Sequence, residues 1–182
     1  PLGRPDAARA ADAATSKPAQ PGYDIIQYGR DCAKLIAEAP PFNCLDGDVV
    51  PITVGGRTPE TYTRHMTCDR PAYLPYPEKS DGQCTPYSRV RTYRDDDVQM
   101  ILFCRRMYIR PIDSPFFDSM EIIMHDVPTG STCFFISKNF GDDPNCDDGR
   151  RVPPPSEETP PEGNVAARDL WATPAEIADH KC

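Results

Sequence analysis

The sequence predicts a β-rich α+β domain, in which a small antiparallel sheet and one amino-terminal helix are joined by long proline-rich loops and stabilised by disulfides. The main evidence is the stretch from Val98 to Ser137, which holds the only concentrated apolar sequence. Its apolar segments are rich in β-branched and aromatic residues and are separated by proline and glycine, as is typical of strands. We expect two or three antiparallel strands, drawn from Val98–Ile109, Met120–Val127 and Thr132–Ser137.

The composition supports the same fold class. The 182 residues include 22 prolines and 11 glycines, and only 38% of the residues are hydrophobic. Proline disrupts both helix interiors and sheet centres, so a long helical architecture is disfavoured. A loop-rich fold with a modest core often needs covalent stabilisation.

Eight cysteines are the candidates for that stabilisation. They are even in number, spread along the chain, and contain no C-x-x-C pair, which argues against zinc-ribbon and thioredoxin-like sites. This pattern favours disulfides formed in an oxidising compartment over reduced thiols in a cytosolic protein. Spacing does not decide the pairing, and our working hypothesis joins sequence neighbours: Cys32–Cys44, Cys68–Cys84, Cys104–Cys133 and Cys146–Cys182.

The charge excludes one class of partner. The net charge is −8, and nucleic acid is therefore not expected, because its phosphates require a basic face. Arg89, Arg91 and Arg94 lie beside Asp95–Asp97 and are interpreted as a solvated, self-neutralised face. No apolar run approaches the 18 or so residues of a membrane span. No signal peptide is visible, so an exported protein would be represented here by its mature chain.

The amino-terminal part divides into a tether and the start of the domain. Residues 1–22 carry almost no large apolar side chains and are predicted to be a flexible tether. The domain is predicted to span residues 23–152. Its first element is a helix over Tyr23–Ala39, whose apolar residues recur at helical spacing and which Pro40-Pro41 ends.

The next segments are predicted to be a hairpin and a long loop. Asp46-Gly47 is a turn signal between apolar residues, which predicts a hairpin over Phe42–Val54. Thr58–Ser88 is irregular and mixes proline with tyrosine. We interpret it either as a binding surface or as packed loops with hydrated phenol groups. The candidate binding residues are Tyr62, Tyr73, Tyr76 and Tyr87.

The carboxyl-terminal part is predicted to be a linker and an appendage. Residues 153–163 are rich in proline and glutamate, which is typical of a semi-extended linker. Residues 164–182 are predicted to form a short appendage with a capped helix. Thr173-Pro-Ala-Glu176 combines a capping box with proline at the first helical position, and His180-Lys181 supplies a basic end.

Two patterns could hold a metal ion. Calcium requires clustered oxygen ligands, but the spacing of the acidic turn departs from the EF-hand loop, and a solvated turn is the alternative. The candidate calcium ligands are Asp143, Asn145, Asp147 and Asp148. Histidines beside methionine can bind a transition metal or haem, although each can equally be an ordinary histidine. The candidates are His65 and His125, each of which is next to a methionine, and His180.

No catalytic set stands out. Cys104 or Cys133 together with His125 could form a nucleophilic pair. A disulfide at either cysteine would remove the thiolate on which such a pair depends.

Several short motifs resemble exported bacterial proteins of the c-type cytochrome-like class. Trp171–Cys182 resembles the capped helix that leads into a C-x-x-C-H haem site, with Cys182 at the first cysteine. Further pieces resemble the amino-terminal region of such proteins: Phe42-Asn-Cys-Leu-Asp-Gly, Met66-Thr-Cys-Asp-Arg-Pro, Gly82-Gln-Cys-Thr-Pro-Tyr, Arg94-Asp-Asp-Asp and Thr129-Gly-Ser-Thr-Cys-Phe. The second cysteine and the histidine of the haem motif are missing, so no haem ligand is transferred.

The resemblance implies a periplasmic or extracellular location in a bacterium and an accessory role beside electron-transfer chemistry. The expected function is a non-catalytic binding or structural module that meets a protein partner or surface ligand through the tyrosine loops and the acidic turn. The alternatives are direct electron transfer through haem or a metal, and a secreted enzyme. A c-type haem requires a chain that continues past Cys182, and the oligomeric state is left open.

Overall fold

A five-stranded antiparallel sheet forms the framework of the protein. The computed structural model describes residues 22–63, 66–69, 84–138, 147–160, 163 and 165–179. The strands in chain order are β1 (Asp48–Val49), β2 (Arg89–Arg94), β3 (Val98–Arg105), β4 (Phe116–Phe117), β5 (Ser119–Asp126), β6 (Thr132–Ile136) and β7 (Asp147–Asp148). The main sheet has the order β1-β2-β3-β5-β6, and β4 pairs with β7 in a separate two-stranded ladder.

Alternation along the central strands places the core on one face of this sheet. In β3, Met100, Leu102 and Cys104 are buried, whereas Ile101 between them is 42% exposed. Met100 lies opposite Met124 of β5, which is also buried. The predicted strands are therefore confirmed, and so is the predicted class of a β-rich antiparallel fold with disulfides.

One helix covers the inner face. Helix α1 spans Ile25–Leu35 and begins after Asp24, whose carboxylate accepts the backbone N–H of Ile26 at 3.4 Å. The hydroxyl of Tyr28 on α1 accepts the backbone N–H of Phe134 at 3.3 Å, and its ring lies 5.0 Å from that of Phe135. The helix thus packs over β6, in agreement with the predicted amino-terminal helix.

Three disulfides are present among the described cysteines. Cys68–Cys84 confirms one predicted pair. The pairs Cys32–Cys44 and Cys104–Cys133 are wrong, because α1 crosses β6 and brings Cys32 to Cys133, while Cys44 meets Cys104 of β3. Cys146 and Cys182 lie outside the described residues.

The segment predicted to be a hairpin has a different structure. Cys44–Asp46 forms a 3-10 helix, and Asp48–Val49 (β1) pairs with β2 rather than with residues 42–45. Phe42 instead forms a bridge to Val152. The Asp46-Gly47 signal therefore marks the end of a short helix. Arg89, Arg91 and Arg94, which were interpreted as a solvated face, belong to strand β2.

The carboxyl-terminal segments pack into the same core as the sheet. Pro153, Pro154 and Pro155 are buried, and the indole N–H of Trp171 donates to the Pro153 carbonyl at 3.0 Å. Trp171 is 0% exposed and belongs to the same apolar cluster as α1 and the central strands. This arrangement differs from the predicted linker over 153–163 and appendage over 164–182.

Two short helices complete this region, α2 (Ala167–Leu170) and α3 (Pro174–Asp179). The predicted capping box is present at α3. The Glu176 carboxylate accepts the Thr173 backbone N–H at 2.6 Å, and the Thr173 hydroxyl accepts the Glu176 N–H at 3.3 Å. Within the described ranges, no helix is long and apolar enough to cross a membrane. The predicted tether over 1–22 lies, except for Gly22, outside the described residues.

Candidate functional site

The most developed feature of the described surface is the loop between β3 and β4, residues 106–115, which we call the 106–115 loop. Arg106 is 0% exposed and lies inside it. Its guanidinium donates to the carbonyl oxygen of Pro111 at 2.8 Å and to that of Ser114. A buried cation is tolerated only with such polar partners, so the loop backbone is folded around the arginine side chain.

A second buried charge fixes the start of the loop. Asp118 is 0% exposed, and its carboxylate accepts the backbone N–H of Met107 at 2.7 Å and that of Tyr108 at 3.3 Å. It also accepts hydrogen bonds from both terminal nitrogens of Arg110, at 2.6 and 2.7 Å. This two-point geometry is the strongest form of an arginine–carboxylate pair. The loop therefore has little conformational freedom left.

Aromatic rings enclose the buried arginine. The guanidinium carbon of Arg106 lies 4.8 Å from the Phe117 ring centroid and 5.9 Å from that of Tyr87. Burial, followed by the nearby charges of Arg110 and Arg89, lowers the pKa of Arg106 to about 10. The side chain is therefore still a cation at neutral pH.

The loop exposes apolar side chains at its surface. Ile109 is 45% exposed and Ile112 is 50% exposed, although both are large aliphatic residues. The guanidinium of Arg89 in β2 donates to the Ile112 carbonyl at 3.3 Å and so holds the backbone at Ile112 in place. A rigid backbone that displays two isoleucines can bind an apolar partner at low entropic cost.

Two of the four predicted binding tyrosines lie at this site. The rings of Tyr62 and Tyr87 meet edge to face with centroids 5.7 Å apart, and Tyr87 also faces Arg106. Tyr87 has φ of 70°, a backbone conformation that a non-glycine residue seldom adopts. Tyr73 and Tyr76 lie outside the described residues.

The histidine candidates do not come together with other ligands in the described part of the chain. His125 lies on β5, and its ring Nδ1 is 2.8 Å from the Thr132 hydroxyl of β6. No group of three or more His, Cys, Asp or Glu side chains that could hold a metal occurs among the described residues. His65 and His180 lie outside them.

The candidate calcium turn is only partly described. Asp147 and Asp148 form β7, opposite Phe117 and Phe116 of β4. The Arg150 side chain donates to both carboxylate oxygens of Asp148, at 3.0 and 3.1 Å from its Nε, and this hydrogen bonding lowers the pKa of Asp148. A calcium ion would have to compete with that guanidinium. Asp143 and Asn145 lie outside the described residues.

The cysteine–histidine pair has no free thiol. Cys104 is bonded to Cys44 and Cys133 is bonded to Cys32. Neither sulfur can therefore form the thiolate nucleophile that such a pair requires.

Sequence reasoning missed the three charged residues that shape the site, Arg106, Arg110 and Asp118. The sequence did contain one signal. Arg106 comes at the end of the apolar stretch that begins at Val98, and Asp118 lies between Phe116-Phe117 and the apolar stretch that begins at Met120. Charged residues at such positions are buried by their neighbours and then need each other or backbone groups as partners. The pattern does not say which partners are chosen.

Comparisons with protein-family models, with curated proteins and with solved structures found no match to this chain.

Proposed function

We propose that this chain is a non-catalytic binding module that acts in the bacterial periplasm or outside the cell and docks onto a c-type cytochrome-like protein. The observation that carries the proposal is the 106–115 loop, which displays Ile109 and Ile112 on a backbone fixed by buried Arg106 and Asp118. Loops held by a rigid scaffold are the usual carriers of binding function.

The energetics favour recognition over catalysis at this loop. The carbonyl oxygens of Pro111 and Ser114 are already bonded to Arg106, and the N–H groups of Met107 and Tyr108 to Asp118, so these parts of the loop do not have to be ordered when a partner binds. Besides the exposed Ile109 and Ile112, the loop exposes one carboxylate, that of Asp113, and it exposes no histidine or cysteine. Tyr62 and Tyr87 add aromatic area next to the loop, which is typical of protein interfaces.

The disulfides support the proposed location. Cys32–Cys133 and Cys44–Cys104 each join buried cysteines of the core, so an oxidising compartment suits the protein. The cytochrome-like partner rests on the resemblance of Trp171–Cys182 to a helix that leads into a haem motif. The partner that we propose is a separate exported cytochrome.

The experiment measures binding to the partner and its dependence on the loop. Exported c-type cytochromes purified from the source bacterium are titrated into isotope-labelled protein, and backbone amide shifts are followed by NMR. We expect shifts concentrated in residues 106–115. The double variant Ile109→Asp/Ile112→Asp should weaken binding at least tenfold, which corresponds to about 1.4 kcal/mol.

A matched control separates loop contacts from general surface effects. Val54 is 44% exposed, and Val127 is 45% exposed and follows β5 at the end of the sheet away from the loop, so Val54→Asp combined with Val127→Asp makes a similar chemical change away from the loop. This control should bind like the unmodified protein. If no exported cytochrome binds, or if the loop variant binds as well as the control, the proposal is wrong.

A further inference from the structure

Strand β2 has an edge that is only half covered by β1. Pairing joins Asp48 to Val90 and Val49 to Arg89, and it ends there. Before Asp48 the chain turns away into the 3-10 helix of residues 44–46. No strand of the described structure therefore pairs with the outer edge of β2 from Thr92 to Arg94.

The hydrogen-bonding phase of the ladder shows which backbone groups face this edge. The Val50 N–H donates to the Ser88 carbonyl at 2.8 Å, so Ser88 points its backbone groups towards β1. These directions alternate along a strand, and thus Thr92 and Arg94 point their N–H and C=O groups in the same direction. At the other end, the Asp95 N–H donates to the Val98 carbonyl at 3.0 Å, which confirms the alternation.

Two of the side chains along this edge, those of Arg91 and Arg94, are basic. Arg91 and Arg94 are exposed, and neither forms an ion pair within the described part of the chain. The Arg91 guanidinium lies over the Tyr93 ring, 5.1 Å from its centroid. The nearest acidic residue in the chain, Asp95, uses its carboxylate to accept the N–H groups of Asp97 and Val98 in the turn.

We propose that the open edge of β2 binds an extended acidic segment of a partner protein as an added strand. Thr92 and Arg94 would supply the backbone hydrogen bonds, and the two arginines would select carboxylates. In an antiparallel arrangement, carboxylates opposite Arg94 and Tyr93 lie next to the guanidinium groups of Arg94 and Arg91, one on each face. The next residue lies opposite Thr92 and extends the exposed apolar row of Ile101 and Ile123.

This geometry defines the sequence of the added strand. Reading in its own direction, the segment places two acidic residues before an apolar, β-branched one, as in Glu-Glu-Val. A second copy of β2 fits less well, because it would bring Arg94 and Arg91 of two chains together. The site is independent of the 106–115 loop, because the open part of β2 lies opposite Gln99–Ile101, at the far end of β3 from that loop.

The test uses a synthetic extended peptide that contains Glu-Glu-Val and a second peptide in which both glutamates are lysine. Binding at low salt is measured by NMR titration, together with hydrogen exchange of individual amides. We expect the acidic peptide alone to bind, more weakly as salt increases. The Thr92 and Arg94 amides should become protected at least fivefold, whereas the amides of Arg91 and Tyr93, already bonded to β3, should not change.

Two variants test the mechanism. Arg91→Glu/Arg94→Glu should weaken binding at least tenfold, whereas Arg57→Glu, at an exposed arginine away from β2, should not. Thr92→Pro removes one edge N–H without touching the β2–β3 ladder and should also abolish binding. The arginine variant keeps every backbone donor, so it stays informative if the proline variant fails to fold. Absence of peptide binding, or binding without protection of the Thr92 and Arg94 amides, overturns the proposal. The role left for the two arginines is then to prevent edge-to-edge aggregation, as charged residues on edge strands do.

Discussion

Gly29 shows how a single residue can reverse the usual effect of a substitution. It lies in the middle of α1, where alanine is normally more stable than glycine by about 1 kcal/mol. Here a Cβ atom would lie 2.5 Å from the carbonyl carbon of Pro155 and 2.6 Å from the backbone nitrogen of Ser156. Glycine is therefore required because the 153–155 segment lies directly against the helix backbone.

We predict that Gly29→Ala destabilises the protein by about 1–2 kcal/mol, because overpacking against main-chain atoms outweighs the gain in helix propensity. Chemical denaturation gives the free energy of unfolding. Lys34→Ala, at an exposed position of the same helix, serves as the control and should change it by less than about 0.5 kcal/mol. A stabilising Gly29→Ala would show that the 153–155 segment does not pack on α1.

Residue-scale chemistry also explains why the site was harder to predict than the core. Arg106, Arg110 and Asp118 are charged, and composition alone suggests exposure for such residues. Their burial depends on carbonyl oxygens and N–H groups of a loop whose path the sequence does not specify. His125 shows the converse, since a sequence position next to Met124 suggested a ligand, whereas the structure gives it a threonine hydroxyl as its neighbour.

At the scale of elements, the disulfides differ in what they join. Cys32–Cys133 connects α1 to β6 across a sequence separation of 101, and both cysteines are 3% exposed. Cys68–Cys84 closes a separation of only 16. The longer loop restricts the unfolded chain more, so the first bridge should contribute more to stability.

We predict that Cys32→Ala/Cys133→Ala lowers the free energy of unfolding by about 4–5 kcal/mol, whereas Cys68→Ala/Cys84→Ala lowers it by about 3 kcal/mol. Urea denaturation of both double variants under the same conditions measures the difference. The second variant is the matched control, because it removes the same chemical group. Equal losses, or a larger loss for the short loop, would contradict the ranking.

The elements that could be predicted are those in which pattern and burial agree. Strands β3, β5 and β6 are rich in β-branched and aromatic residues, and burial alternates along β3 as in a strand with one buried face. Strand β2 was not predicted, because Arg-Val-Arg-Thr-Tyr-Arg at a sheet edge buries little and reads as a charged loop. Two of the predicted disulfide pairs, Cys32–Cys44 and Cys104–Cys133, were wrong for a similar reason: the order of cysteines in the sequence does not indicate how α1 crosses the sheet.

The proline-rich segment was misjudged for a different physical reason. A linker prediction assumes that prolines remain in water, yet Pro153, Pro154 and Pro155 are buried. Proline has no backbone N–H, so its burial leaves no donor unsatisfied, and one of the carbonyls is bonded to the Trp171 indole. Composition alone cannot distinguish an extended segment in solvent from one packed against a helix.

At the scale of the whole molecule, the two ends of the described chain meet. Arg168 of α2 forms an ion pair with Asp24, the residue that caps α1. Its hydrogen bond to that carboxylate is the largest cause of the lowered pKa of Asp24. The Ala172 N–H donates to the Ile136 carbonyl at 2.9 Å, so the carboxyl-terminal segment also binds the edge of β6. Residues 168–172 therefore join the carboxyl-terminal segment to both α1 and β6.

We predict that a chain ending at Pro160 loses most of its stability, whereas a chain ending at Ala172 retains it. The shorter chain lacks Leu170 and Trp171, which are 1% and 0% exposed. Loss of two such side chains exceeds about 5 kcal/mol, comparable with the total stability of many domains. The longer chain lacks α3, which has no buried residue, and thus serves as the control. Thermal unfolding and amide dispersion measure both. A cooperatively folded 1–160 chain would show that residues 165–172 are an appendage after all, because the sheet, α1 and the disulfides would then suffice to close the core.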